Sequence, residues 1–176
     1  MVQREVTLDE VLAFRDEKAG TQARLLEMDP AGCVVSLGMN IPGPVKWNDA
    51  VRAAFEAGRL ELAGLLAEQG GVLRQERVLL LPGGCADICR VSGAAALELK
   101  RAAVQLEERH PLGRLFDVDV LGPDGLALSR QAVGAAARKC LLCGGDAKVC
   151  GRSRAHPVQA LQEKTFGLIA AWREAL

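Results

Sequence analysis

Apolar positions recur at helical spacing in two stretches of the chain. After Asn48, a residue suited to a helix N-cap, Val51, Phe55, Leu62, Leu65 and Leu66 fall on one side. Gly58 and Gly64 interrupt that run. Over residues 157–176, Leu161, Thr165, Leu168, Ile169, Trp172 and Leu176 share a side, which predicts a C-terminal helix. Two further helices are predicted from start and stop signals. Thr7-Leu8-Asp9-Glu10 is a capping box, so a helix is expected over 8–27 despite Gly20. Another, rich in Ala, Leu, Glu and Lys, is expected to open at Ser92 and to end before Pro111.

Period-two and short apolar runs mark the strands. Residues 33–37 read as one, and residues 77–81 and 87–91 as a pair joined by Pro82-Gly83-Gly84 in a hairpin. A strand over 115–121 is turned by Pro123-Asp124-Gly125 into residues 126–128. Residues 40–46, Asn-Ile-Pro-Gly-Pro-Val-Lys, are too punctuated for regular structure. Helices alternate with strands, but hairpins are implied. The expected fold is therefore α+β: a single domain over 1–176, with a mixed or antiparallel sheet and flanking helices.

Composition narrows the class without changing that picture. Apolar residues make up 49% of the 176 and charged ones 25%, ordinary globular usage that argues against disorder. The 18-residue windows without several charges contain Gly and Pro turns, so no membrane span is expected. The start, MVQREVTLDE, has no apolar leader core, and a cytoplasmic location is expected. There the six cysteines are thiols or metal ligands rather than disulfides. The zero net charge hides an asymmetry. Residues 130–156 hold six basic side chains against one acidic one, +5, so residues 1–129 carry −5 because 157–176 balance. A basic segment in an acidic chain points to an anionic ligand.

Three groups of residues carry candidate chemistry. In Gly113-Arg114-Leu115-Phe116-Asp117-Val118-Asp119-Val120, strand alternation puts Asp117 and Asp119 on one face, their Cα atoms about 6.6 Å apart. Phe116, Val118 and Val120 face the core and fix that register. Two neighbouring carboxylates repel, and a divalent cation relieves the repulsion; Mg²⁺ suits all-oxygen ligands completed by substrate phosphates. Gly113 adds backbone freedom and Arg114 a cation that reaches phosphate. The second group is Cys140, Cys143, Cys150 and His156, a C-x₂-C-x₆-C-x₅-H pattern that makes a permissible structural Zn²⁺ set. Cys85 and Cys89 read as core residues. The third is the stiff loop 40–46, which can hold Asn40 and Lys46 at the mouth of a site.

Taken together, Asn-Ile-Pro-Gly-Pro-Val-Lys (40–46), Gly-Arg-Leu-Phe-Asp-Val-Asp-Val (113–120), Arg-Lys-Cys-Leu-Leu-Cys (138–143) and Cys-Gly-Arg-Ser-Arg-Ala-His (150–156) resemble the apo-citrate lyase phosphoribosyl-dephospho-CoA transferases, also called citrate lyase holo-acyl-carrier-protein synthases. The resemblance runs from about Val6 to the C-terminal helix and is weakest over residues 82–93. It implies a nucleotidyltransferase-like fold and chemistry. The donor would be 2′-(5″-triphosphoribosyl)-3′-dephospho-CoA, the acceptor a serine of the acyl carrier protein (gamma) subunit of citrate lyase, and the by-product pyrophosphate. Asp117 and Asp119 would hold Mg²⁺ against the triphosphate. Arg114 and Lys46 would bind phosphate oxygens. Arg138, Arg152 and Arg154 would extend the phosphate site or meet the carrier's acidic surface. An aspartate of the pair, or Glu107, would take the serine proton.

Two other classes stay open on the residues alone. One is a zinc-stabilised nucleic-acid-binding module. Four Phe, two Trp and no Tyr leave it few stacking platforms. The other is a Mg²⁺-dependent nucleotidyltransferase with a different acceptor, including a sister carrier such as that of malonate decarboxylase.

Overall fold

The computed structural model describes residues 4–176; Met1, Val2 and Gln3, the start of the segment read as lacking a leader core, lie outside the described residues. Five helices and one four-stranded sheet follow in the order α1 (Leu8–Glu27), β1 (Cys33–Met39), α2 (Asp49–Glu68), β2 (Val72–Leu81), β3 (Gly84–Ser92), α3 (Ala96–Arg109), β4 (Phe116–Leu121), α4 (Ala147–Ser153) and α5 (Val158–Glu174). Strand order is β2-β3-β1-β4, and every neighbouring pair is antiparallel. The expected α+β class holds, with the antiparallel form of the sheet. Among the described residues no helix is long and apolar enough to cross a membrane.

Local signals account for the helix starts. Thr7 Oγ1 accepts from the Glu10 N–H at 3.2 Å while Glu10 accepts from the Thr7 N–H at 2.9 Å, closing the capping box of α1. Asn48 Oδ1 accepts from the Val51 N–H at 2.9 Å and starts α2. Elsewhere the structure departs from expectation. Ser92 does not open α3; it ends β3 opposite Val72, and the helix begins at Ala96 without a side-chain cap. Strand β2 begins at Val72 rather than Arg77, because β3 supplies hydrogen-bond partners to a polar stretch with little strand pattern of its own. Helix α4 was not foreseen. Residues 126–128 form no strand, only a bridge between Leu121 and Ala127. Leu176 is 88% exposed, and the buried residues of α5 are Thr165 and Ile169.

Alternation along the strands divides the core in two. One face buries Val35, Leu37, Cys85, Cys89, Phe116, Val118 and Val120 against Phe55 and Leu62 of α2, Leu99 of α3 and Ile169 of α5. The opposite face packs Val34, Ala86 and Ile88 against Leu25 of α1. Helices α2 and α3 each carry the chain across the sheet on the same side, so α1 covers the other side alone. Strand β4 is an edge strand, but its outer backbone groups are occupied. Glu107 accepts from the Val118 N–H at 2.9 Å, Lys100 donates to the Val118 carbonyl at 2.9 Å, and the Leu128 N–H reaches the Val120 carbonyl at 2.8 Å.

Candidate functional site

The pattern of β4 places its charges as its alternation requires. Phe116, Val118 and Val120 are buried, and Asp117 and Asp119 face the α1 side. Opposite them on β1 stand Gly38 and Ser36, both small, so the floor beside the carboxylates is low. A side chain at Gly38 would begin 3.8 Å from Lys18 Nζ. That ammonium, on α1, pairs with Asp119 Oδ2 at 2.8 Å. Asp117 Oδ1 is met by Arg138 at 3.3 Å. One oxygen of each aspartate is thus held by a cation, and the donor set left over fits Mg²⁺ only if substrate phosphates complete the shell.

A cavity of about 250 Å³ opens here, lined by Arg15 and Lys18 of α1, Gly38, Met39, Asn40 and Ile41 at the end of β1, Lys46, the Gly83-Gly84 turn and Asp117. Three cations face one carboxylate in that lining, a positive balance that suits an anion. Lys46 Nζ donates to the Ile41 carbonyl at 2.6 Å, folding the loop 40–46 back on itself. Burial, then the neighbouring Arg15 charge, pull the Lys46 ammonium below the usual lysine range. Arg15 and Lys18 went unnoticed in the sequence. Their only signal was two cations three positions apart on a predicted helix, beside the apolar Val11 and Phe14.

A second cavity, of about 340 Å³, lies on the other side of Asn40, which lines both. It is lined by the apolar Pro42, Leu115, Leu141, Val158 and Leu161 together with Arg114, Arg154, Cys140, Cys150 and His156. Thr165 also lines it; the Thr165 hydroxyl is buried and has no hydrogen-bond partner among the described residues. Arg114 donates to the Lys139 carbonyl, tying the start of β4 to the cysteine segment. Burial and the nearby Arg138 and Arg130 charges lower its pKa.

The remaining sequence candidates are placed less centrally. Gly113 is buried, and a Cβ there would come within 2.5 Å of the Glu107 carbonyl and 2.6 Å of that of Leu106, so its small size serves the close approach to the end of α3. Arg138 spends its donors on the Phe116 carbonyl, the Gly113 carbonyl at 3.4 Å and Asp117, and so staples the segment to the edge of β4. Arg152 is exposed and lines neither cavity. Glu107, a sequence candidate for the proton acceptor, is committed elsewhere. Its Oε1 takes the Val118 N–H at 2.9 Å and its Oε2 takes Arg130 at 2.6 Å, while burial raises its pKa. Among the described residues, Asp117 is the one carboxylate lining either cavity. Cys140, Cys143, Cys150 and His156 converge, each offering a ligand atom within 4.8 Å of the others.

Over residues 6–172 the sequence matches the model of a family described as apo-citrate lyase phosphoribosyl-dephospho-CoA transferase. The chain belongs to this family. Proteins of that name from Escherichia coli O7:K1 (strain IAI39 / ExPEC) and Shigella boydii serotype 18 (strain CDC 3083-94 / BS512) are each 36% identical over 164 residues, which cover 93% of this chain and 88% of theirs. The matched span includes the whole of both cavities and the cysteine cluster. It also takes in residues 82–93, where the resemblance was weakest.

Proposed function

We propose that this protein transfers the 5″-phosphoribosyl-3′-dephospho-CoA group from 2′-(5″-triphosphoribosyl)-3′-dephospho-CoA to a serine hydroxyl of the citrate lyase acyl carrier protein subunit. The observation that carries this reading is the Asp117/Asp119 face of β4 set against a cavity lined by Arg15, Lys18 and Lys46. A triphosphate needs such a cavity, and the membership of the chain in the transferase family supports the donor and the acceptor.

In the reaction the serine oxygen bonds to the α-phosphorus while the bond from that phosphorus to the leaving oxygen breaks, releasing pyrophosphate. Asp117 and Asp119 would hold Mg²⁺, which supplies charge neutralisation on the phosphate oxygens when bound. Lys18, Arg15 and Lys46 hold the β- and γ-phosphates as fixed positive charges, which favours departure of the negative leaving group. Asn40, between the cavities, orients the donor across both. The apolar cavity takes the less charged part of the donor, and the unpartnered Thr165 hydroxyl offers it one hydrogen bond. Holding the hydroxyl in line with the leaving pyrophosphate does most of the work. Asp117 is the carboxylate where the hydroxyl proton leaves. Arg154, exposed in the lining of the apolar cavity, and the exposed Arg152 present positive charge to an acidic carrier.

Intact-mass measurement of the apo carrier subunit, after incubation with this protein, the donor and Mg²⁺, tests the proposal. The expected result is a gain equal to the phosphoribosyl-dephospho-CoA group, abolished by EDTA and by Ser→Ala at the acceptor. An unmodified carrier, with intact donor and folded protein, overturns it. Modification of the malonate decarboxylase carrier instead moves the reading to another acceptor.

A further inference from the structure

We propose that Cys140, Cys143, Cys150 and His156 bind one zinc ion as a tetrahedral structural site that builds one wall of the apolar cavity. This inference is independent of the transferase reading.

The first argument is geometric. Three sulfurs and an imidazole nitrogen lie within 4.8 Å of one another. The Sγ atoms of Cys143 and Cys150 are 3.6 Å apart. Zinc–sulfur bonds of ~2.3 Å in a tetrahedron place sulfurs about 3.8 Å apart. A disulfide needs about 2.05 Å, so this pair is spaced for a shared ion rather than for a covalent bond. The imidazole adds an independent sign: His156 Nε2 is buried and has no hydrogen-bond partner among the described residues.

Local backbone structure points the same way. The Cys140 N–H donates to the Gly145 carbonyl at 2.5 Å and the Gly144 N–H to the Cys140 carbonyl at 3.3 Å, curling Cys-Leu-Leu-Cys-Gly-Gly into a tight turn. Gly144 sits at φ 72°, a conformation that glycine adopts without strain. Asp146 then caps α4 through the Lys148 and Val149 N–H groups, which brings Cys150 round to face the turn.

The third argument concerns what holds this segment together. Between Leu128 and Val158 the single buried residue is Cys140, and neither α4 nor the short 3-10 turn Gln131–Val133 buries a side chain. A stretch of that length with no apolar core needs a cross-link to keep one shape. Its charge favours this one. Three thiolates and a zinc ion sum to −1, and Arg114 and Arg154 line the same cavity as Cys140, Cys150 and His156. The three remaining cysteines, Cys33, Cys85 and Cys89, are buried in the sheet core and take no part. Because Cys140, Cys150 and His156 also line the apolar cavity, the ion would fix that wall, and through Lys139 the position of Arg114.

The test uses the full-length protein, purified without a metal-affinity step. Elemental analysis is expected to find one zinc per chain, released when a mercurial titrates the thiols. Cobalt substitution is expected to give the intense visible bands of a tetrahedral cobalt–thiolate. Cys143→Ser and His156→Ala should each lose bound metal and become cleavable by protease within residues 135–157. Cys33→Ala, in the core, should keep its zinc, which separates ligand loss from loss of folding. Trace zinc with no cobalt bands in the wild-type protein overturns the proposal. So does a Cys143–Cys150 disulfide in peptides mapped without reduction.

Discussion

The two faces of β4 do different work with neighbouring residues. Phe116, Val118 and Val120 are at most 1% exposed, and they pack on α2 and α3. Asp117 and Asp119, one position away, keep 52% and 39% of their side-chain surface and meet Lys18 and Arg138 across a cation-lined cavity. The whole sheet follows this division. The side under α2, α3 and α5 is apolar from β3 to β4 except at Asp87, which Arg59 pairs. The α1 side is apolar only as far as Val34, Ala86 and Ile88, and beyond them come Ser36, Gly38 and the carboxylates. A strand can therefore give half its residues to the core and leave half facing a charged cavity, provided that its buried half is apolar enough to fix the register.

The largest effect that tests this division is on the buried side. Phe116→Ala should cost about 3–5 kcal/mol of unfolding free energy, read from denaturant curves. A loss under about 1 kcal/mol breaks the comparison, because the apolar face would then not be what holds the register. On the other face, Asp117→Asn should lower carrier modification by about 10²–10³-fold, the scale for removing one preorganised charge partner. Its unfolding midpoint should stay at the wild-type value. An equal fall in stability would show that Asp117 is part of the frame. Lys18→Ala should weaken pyrophosphate binding by about tenfold, one charge-assisted contact, and flatten its salt dependence. Isothermal titration at two ionic strengths reads both, and unchanged binding removes Lys18 from the anion cavity.

The smallest effect sharpens the apolar face, where one carboxylate is buried. Asp87, opposite Leu37, is paired with Arg59 at 2.9 Å, and burial pushes its pKa up to about 6 from 3.8, with Glu76 adding to the rise. The folded state then holds a proton that the unfolded chain releases. The stabilisation from that proton is fully present below pH 3.8 and is lost as pH rises through about 6. Asp87→Asn should flatten the fall in urea midpoint across that window. A variant that keeps the full slope would assign it to another group.

Much of the fold was legible because its signals are local. The capping box at Thr7 and Glu10 located α1, and strand alternation at 116–120 located the inner and outer faces of β4. Misreadings arose where a distant partner decides. Ser92 looks like a helix cap, yet Val72 pairs it into the sheet. The polar residues 74–76 look unlike a strand, and β3 makes them one. Seven-residue α4 lies below the length at which periodicity speaks. The candidate site divided in the same way. Asp117, Asp119, Asn40 and Lys46 announced themselves by spacing and punctuation, and the structure brings Asp117, Asn40 and Lys46 to one cavity. Arg15 and Lys18 were silent, because nothing within α1 says that its cations will meet a strand far along the chain. Arg138, read as a phosphate or carrier contact, donates to the Phe116 and Gly113 carbonyls and to Asp117.

The link from Lys18 to Asp119 spans 101 positions of sequence. Closing so long a loop has a large entropic cost before any contact returns it, so such pairings form late in folding. The order of synthesis adds to the delay, because α1 leaves the ribosome well before β4. A growing polypeptide therefore carries Arg15 and Lys18 as two unassigned charges on a helix. They meet the carboxylates of β4 only when that strand docks beside β1.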